Sequence, residues 1–139
     1  MSAITTRNLT KNYGECAAVR SLNLEVQQGS VYGFLGPNGS GKTTTVKMLL
    51  GMNVPSDGDA TVLGFDCKQD SIEICKRIGY VPENGNLYPF MTVGETISLV
   101  KSLRPSWDAV LGKRLLDTFE LPLDRKVGKL SKGMQRQLE

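Results

Sequence analysis

The sequence has 139 residues, of which 40% are apolar and 22% are charged, and its net charge is +3. These values predict a folded chain with a hydrophobic core and exclude a disordered or fibrous protein. No apolar run approaches the length of a membrane span, and the first residues lack the apolar core of a secretory signal, so we expect a cytoplasmic protein. Because the chain has no histidine and its three cysteines lack metal-type pairing, a zinc site and a His-based triad are excluded within it.

The first region of the chain, residues 1–35, has the pattern of β-strands. Residues 3–9 are one predicted strand, and the alternation of residues 19–26 predicts a second. The short apolar run at residues 31–35 predicts a third, buried strand that ends at Gly36.

The second region, residues 36–91, combines a loop, a helix and further short strands. Its predicted elements are a helix over residues 42–50 closed by Gly51, a turn over residues 54–59, and strands over residues 59–63 and 78–81.

The third region, residues 92–139, has helical patterns. Thr92 with Glu95 forms a predicted capping box for a helix that continues to about Leu103. Ser106 is the predicted cap of a second helix that ends at Leu121 and Pro122 and carries Leu111, Leu115 and Phe119 on one face. Ser131 is a good N-cap for a last helix.

The strongest chemical signal is "GPNGSGKTT", residues 36–44, which fits the pattern G-x-x-x-x-G-K-[ST] between a predicted buried strand and a predicted helix. Its glycines permit positive φ and close approach, so that successive N–H groups can cradle phosphate oxygens. This pattern predicts a P-loop that binds a nucleoside triphosphate; the alternative is an ordinary glycine-rich turn. The predicted phosphate contacts are Gly36, Pro37, Asn38, Gly39, Ser40, Gly41, Lys42, Thr43 and Thr44.

Two side chains of the P-loop have predicted individual roles. Lys42 would hold the β- and γ-phosphates at the positive end of the following helix, and the Thr43 hydroxyl would be a ligand of Mg²⁺. Three successive β-branched threonines are an unfavourable start for a helix. Their presence therefore indicates that they are there for a function and not for their helix propensity.

The order of the remaining motifs resembles that of one family. "LTKNYG", the P-loop, "VPSDGDATVLG", "IGYVPEN" and "KLSKGMQRQL" follow one another as in the ATP-binding subunits of ABC transporters, and the chain is similar to the first half or more of such a domain. It looks most like the bacterial ATPases that serve ABC-2-type exporters. The resemblance implies an α/β fold with an incomplete P-loop core, an antiparallel β portion and an α-helical subdomain. The implied division is an ATP-binding core over residues 1–91 and a helical subdomain over residues 92–139.

The resemblance also assigns expected roles to Tyr13 and Glu83. Tyr13 matches the aromatic residue that stacks on adenine, although a tyrosine can also simply pack against a strand end. Glu83 stands where most of the family has a glutamine that reaches Mg²⁺ and the attacking water and couples the site to the membrane subunits. A carboxylate there would bind the metal, take up a proton or stay withdrawn until the site closes. The alternative is an exposed loop acid after a proline.

"LSKGMQ", beginning at Leu130, aligns with the family's LSGGQ signature. The resemblance implies that Ser131, Lys132 and Gly133 contact the γ-phosphate held by the P-loop of a second subunit, in a head-to-tail dimer with two ATP molecules. Lys132 replaces a glycine and Met134 replaces a glutamine, so one added charge and one missing polar contact depart from the pattern. Taken alone, Ser131 is an ordinary N-cap.

The Walker B residues that complete hydrolysis in the family have no counterpart in residues 1–139. We therefore expect an N-terminal part of an ATPase domain that binds MgATP at most, with hydrolysis in the full-length parent and with apolar sheet edges exposed. The implied partners are membrane-spanning permease subunits, and the small net charge gives no reason to expect nucleic acid. The alternatives are a soluble ABC protein that acts on ribosomes or DNA, and a fragment without function.

Overall fold

A computed structural model describes residues 1–83, 85, 87–104 and 106–139 of the chain. These residues form two compact units, Met1–Gly79 and Tyr80–Glu139. Both units contain helices, and the first also contains the sheet, so the predicted α/β class is confirmed. The predicted functional division at residue 92 stays a prediction.

The first unit is built on a four-stranded antiparallel sheet with the order β2-β1-β3-β4. The predicted strands at residues 3–9, 19–26 and 59–63 are confirmed, and the first two extend further than their apolar alternation. A two-residue strand carries too little pattern to be predicted, and β4 was therefore missed. The strands are β1 (Ser2–Tyr13), β2 (Cys16–Gln27), β3 (Asp57–Val62) and β4 (Phe65–Asp66).

Helix α1 (Lys42–Leu49) joins the sheet in the core of the first unit. Its Met48 is fully buried with Leu9 of β1, as expected for the apolar face of a helix packed on a sheet. The predicted helix over residues 42–50 is confirmed, and Gly51, with φ of 68°, closes it. Burial and the neighbouring Asp66 charge raise the pKa of the Cys67 thiol, which packs in the same core, to about 11.

Two predicted strands are wrong: one lies within the first unit, and the other lies at the boundary between the two units. Residues 31–35 form no strand, and Val31 and Leu35 are 103% and 91% exposed. Residues 78–81 are likewise outside any strand. An apolar run forms a strand only where a neighbouring strand accepts its backbone hydrogen bonds, and the described residues supply no such neighbour at either place.

A short helix that the sequence did not predict, α2 (Ser71–Arg77), precedes residues 78–81. It contributes one buried apolar side chain, Ile74, to the core. One buried position over seven residues is too weak a periodic signal to identify a helix.

The second unit is helical, as predicted. Helix α3 (Val93–Leu103) begins with the predicted capping box: the Glu95 backbone N–H donates to the Thr92 hydroxyl over 3.1 Å, and the Thr92 N–H donates to the Glu95 carboxylate over 2.7 Å. The bond from the Thr92 backbone holds the pKa of the Glu95 carboxyl below its ordinary value. Val93 is fully buried in the core of this unit.

The next helix, α4 (Ala109–Phe119), starts later and ends earlier than predicted. Its cap is Asp108, whose carboxylate accepts the N–H groups of Val110 and Leu111, and the prediction of Ser106 as cap is wrong. A carboxylate also interacts favourably with the positive end of the helix, which a serine does not. The helix ends when Glu120 takes a left-handed conformation (φ 51°), before Leu121.

A 3-10 turn at Val127–Lys129 leads to the last helix, α5 (Lys132–Leu138). Ser131 is its N-cap, as predicted, and accepts the Met134 N–H over 3.2 Å. Among the helices of the described residues, none is long and apolar enough to cross a membrane.

Gly58 of β3 and Gly64 of the turn between β3 and β4 provide a matched test of packing. Gly58 of β3 has φ of 73°, and a Cβ there would lie 2.3 Å from the backbone oxygen of Asn8. Gly64 has φ of 83° with open space around it. Left-handed φ costs each alanine variant about 1 kcal/mol, and we expect the clash to add roughly 1–3 kcal/mol for Gly58→Ala alone. Equal losses of unfolding free energy in urea titrations of Gly58→Ala and Gly64→Ala would contradict this account.

Candidate functional site

The P-loop, residues 36–44, leads directly into the first turn of α1. Gly39 and Gly41 have φ of 82° and 86°, the left-handed region that their lack of a Cβ permits. Gly36 does not share this conformation; a Cβ there would instead lie 2.6 Å from the Ser40 hydroxyl. The loop therefore turns at its second and third glycines and reaches the helix with its N–H groups still free of helical partners.

Gly41 fixes the position of the P-loop against the sheet. A Cβ at this glycine would lie 2.2 Å from the backbone oxygen of Ala18 in β2. Only a glycine lets the start of α1 approach this strand so closely. The positive end of the helix is thereby held at a defined place beside the sheet.

The Lys42 side chain folds back over the loop. Its Nζ donates to the backbone oxygens of Gly36 over 2.7 Å and of Pro37 over 2.8 Å. A protonated amine at the N-terminus of a helix, beside a loop of exposed residues, forms a site that attracts anions. Phosphate oxygens would compete with the two carbonyls for this amine.

The hydroxyl groups after Lys42 differ in their partners. Thr45 is buried, and its hydroxyl donates to the Gly41 oxygen over 2.9 Å. Thr43 is exposed, and no described residue forms a hydrogen bond with its hydroxyl. A hard oxygen ligand that is open to solvent suits Mg²⁺, which retains several waters when it binds to proteins. Thr43 thus fits the predicted role of a single metal ligand.

Tyr13 lies at the end of β1, opposite Cys16 of β2, in the same unit as the P-loop. The residue is 52% exposed. Its hydroxyl accepts a hydrogen bond from Asn53 Nδ2 over 2.9 Å, and Lys11 Nζ lies 5.2 Å from the ring centroid. The ring is therefore fixed at its edge and still accessible to a ligand.

Glu83 lies in the second unit, in a loop held by helix α5. The Arg136 guanidinium donates to the backbone oxygens of Pro82 over 2.7 Å and of Glu83 over 2.6 Å, and it also pairs with the Glu139 carboxylate. A Cβ at Gly85 would lie 1.7 Å from a Glu139 side-chain oxygen, so that the loop packs tightly on the helix. The Glu83 side chain itself is exposed at an open cavity of about 410 Å³ that Lys132 also lines.

Within the segment aligned with the family signature, Ser131, Lys132 and Gly133 are exposed at the start of α5. Leu130 is buried just before them, and Met134 is half-buried. The Ser131 hydroxyl caps the helix, which satisfies its acceptor role within the chain. A Cβ at Gly133 would lie 3.9 Å from the Ser131 Oγ, and among the described residues no other atom beyond its chain neighbours and the backbone of its own helix would come within 4 Å. Packing within this unit therefore does not require the glycine, and its small size leaves room for a group from outside.

The predicted site residues are thus divided between the units. Tyr13 and residues 36–44 belong to the first, whereas Glu83 and residues 131–133 belong to the second. Sequence reasoning missed the roles of Asn53 and Arg136, because both act on partners that are distant in the chain. Asn53 lies outside the quoted motifs, and Arg136 follows the part of "KLSKGMQRQL" that aligns with the signature. Among the described residues, no three acidic or cysteine side chains form a cluster that could hold a metal ion.

The comparison with protein families and the comparison with individual proteins agree. Residues 19–139 match the family described as ABC transporter. The chain is 38% identical over 143 residues to Nod factor export ATP-binding protein I of Burkholderia lata, a match that covers 99% of this chain and 47% of that protein. The chain therefore spans about half the length of this curated relative.

Two solved structures are similar to the whole chain. One is the structure of an ATP-binding subunit of an ABC transporter, with a TM-score of 0.86, 25% identity, and coverage of 98% of this chain and 59% of that one. The other is the dimeric post-hydrolysis state of the ATP-binding cassette MJ0796 bound to ADP and Pi, with a TM-score of 0.75, 26% identity, and coverage of 97% and 66%. Both similarities support the same α/β fold.

The contacts of Arg136 predict that it restrains the loop that carries Glu83. Arg136→Gln removes a charged donor from two carbonyls, and we expect endoproteinase Glu-C to cleave after Glu83 roughly three- to tenfold faster, since proteolysis follows the population of the open loop. Arg77→Gln is the matched control, because Arg77 pairs with Glu73 inside α2. The same cleavage rate in wild type and Arg136→Gln would show that the loop is not held by this side chain.

Proposed function

The chain belongs to the ABC transporter family, and we propose that it is the MgATP-binding part of an ATPase subunit that drives export through membrane-spanning permease partners. The observation that carries this proposal is the placement of Lys42 and two left-handed glycines at the start of α1. Export is the function in the name of the Burkholderia lata relative. Because this chain spans about half of that protein, hydrolysis and transport are proposed for the whole protein.

Each part of the first unit has one task in this proposal. The N–H groups of the P-loop, to which Pro37 contributes none, and the Lys42 amine bind the phosphates, and the exposed ring of Tyr13 stacks on the adenine. The Thr43 hydroxyl offers an oxygen to Mg²⁺. Bound Mg²⁺ would neutralise charge that develops on the β- and γ-phosphate oxygens during hydrolysis.

The second unit would act on the nucleotide of another subunit. The proposed contacts to its γ-phosphate come from Ser131, Lys132 and Gly133, where the glycine leaves space and the lysine adds a positive charge. The dimeric state of the MJ0796 cassette supports a pair of ATPase domains. A head-to-tail arrangement would give each P-loop one signature segment from its partner.

Glu83 has a proposed role in catalysis and metal binding. Its carboxylate is exposed while Arg136 holds its backbone, so the side chain can turn without displacing the loop. Near a triphosphate it would act as an oxygen ligand of Mg²⁺ or withdraw from the like charge of the phosphates.

The proposed location is the cytoplasmic face of the membrane, where the permease subunits would hold the ATPase. Coupling would follow from ATP-dependent dimerisation, since closing two domains on nucleotide moves the surfaces that permeases contact. No contact with nucleic acid is proposed.

The test is a titration of the purified chain with a fluorescent ATP analogue and Mg²⁺. We expect saturable binding that Lys42→Ala weakens roughly 10- to 100-fold, the effect of losing charge-assisted hydrogen bonds. Lys47→Ala is the matched control, because it removes the same charge from an exposed position in the last turn of the same helix. Absence of binding by a folded chain, or equal affinity of both variants, would refute the proposed site.

A further inference from the structure

The geometry around Tyr13 points to two positioning residues for the nucleotide base. We propose that Asn53 and Lys11 hold the Tyr13 ring in the orientation that lets its free face stack on the base. Asn53 Nδ2 donates to the phenol oxygen over 2.9 Å, and Lys11 Nζ lies 5.2 Å from the ring centroid. This inference rests on the proposed function, because it assigns support to a ring that binds ATP.

Asn53 connects the ring to the helix that carries the P-loop. Its backbone N–H donates over 3.2 Å to a carbonyl in the last turn of α1, and Lys42 is the first residue of this helix. Asn53 is half-buried and belongs to the segment that follows the helix. Asn53, which holds the base-stacking ring, and Lys42, which binds the phosphates, are therefore connected through helix α1.

The same segment is fastened along the end of β1. The Ser56 backbone N–H donates to the Thr10 oxygen over 2.8 Å, and the Asn12 N–H donates to the Ser56 hydroxyl over 3.0 Å. These bonds hold Asn53 beside Tyr13 without help from the phenol. The hydrogen bond from Asn53 to the phenol is therefore not needed to place Asn53, and its effect is to fix the angle of the Tyr13 ring.

Lys11 restricts the ring from one side. Its amine is anchored to the Val54 oxygen over 2.7 Å while it lies near the ring. A cation near one face attracts the π electrons and leaves the opposite face for a base. The half-exposed state of Tyr13 is consistent with one supported face and one open face.

The experiment compares two ligands that differ in the base. Calorimetric titrations with MgATP and with magnesium tripolyphosphate, which has phosphates and no base, are performed on wild type and variants. We expect Asn53→Ala to weaken MgATP binding about three- to tenfold, the effect of one lost hydrogen bond, and to leave tripolyphosphate binding unchanged. Asn53→Asp keeps a partner for the phenol and should restore most of the affinity.

Tyr13→Phe provides the matched partner of a double-mutant cycle. It keeps the ring and removes only the oxygen that Asn53 binds, so Asn53→Ala should add no further loss in the Tyr13→Phe background. Additive losses, equal losses for both ligands, or unchanged MgATP affinity in Asn53→Ala would overturn the inference. If wild type bound neither ligand, the proposed function would fail, and the inference with it; binding of both ligands by wild type separates the two failures.

Discussion

The close approach of Gly41 to the backbone of Ala18 is the contact on which the candidate site depends. Its left-handed φ and missing Cβ let α1 begin directly against β2, and the core side chains of α1 hold the rest of the helix on the sheet. The positive end of the helix is then fixed at the P-loop, together with Lys42. A side chain at position 41 would displace the helix start, and the amine and the N–H groups would move with it.

The interactions of Lys42 explain how the P-loop is organised before it meets a ligand. The charged Lys42 amine donates to the carbonyls of Gly36 and Pro37 and so joins the end of the loop to its beginning. Phosphate oxygens would replace these carbonyls with charged acceptors, which form stronger hydrogen bonds. Asn53 extends the same frame to Tyr13, and Arg136 holds the loop of Glu83 in the second unit in a comparable way. In both cases a side chain to which the sequence assigned no role holds a residue that the family resemblance identified.

Most signals confined to a few neighbouring residues were confirmed, although the cap predicted at Ser106 was wrong. The capping box of Thr92 and Glu95, the cap at Ser131 and the helix after the P-loop are all confirmed, because each depends on bonds within one turn. The strand predicted at residues 31–35 failed because an apolar run does not reveal whether a neighbouring strand is present. The contacts of Tyr13 with Asn53 and of Glu83 with Arg136 join residues 40 and 53 positions apart, beyond any local pattern. The family resemblance predicted which residues would form the site, and the structure revealed the side chains that hold Tyr13 and the backbone of Glu83.

We propose that the exposed loop before α1 binds the phosphates of MgATP through its backbone. The most direct measurement is the change in backbone amide resonances of the isotope-labelled chain on addition of MgATP. We expect the largest shifts at the amides of Gly36 and of residues 38–44, whose N–H groups would face the phosphates; Pro37 has no amide proton. Largest shifts outside these residues, with the amides from Gly39 to Thr44 unchanged at saturation, would contradict it.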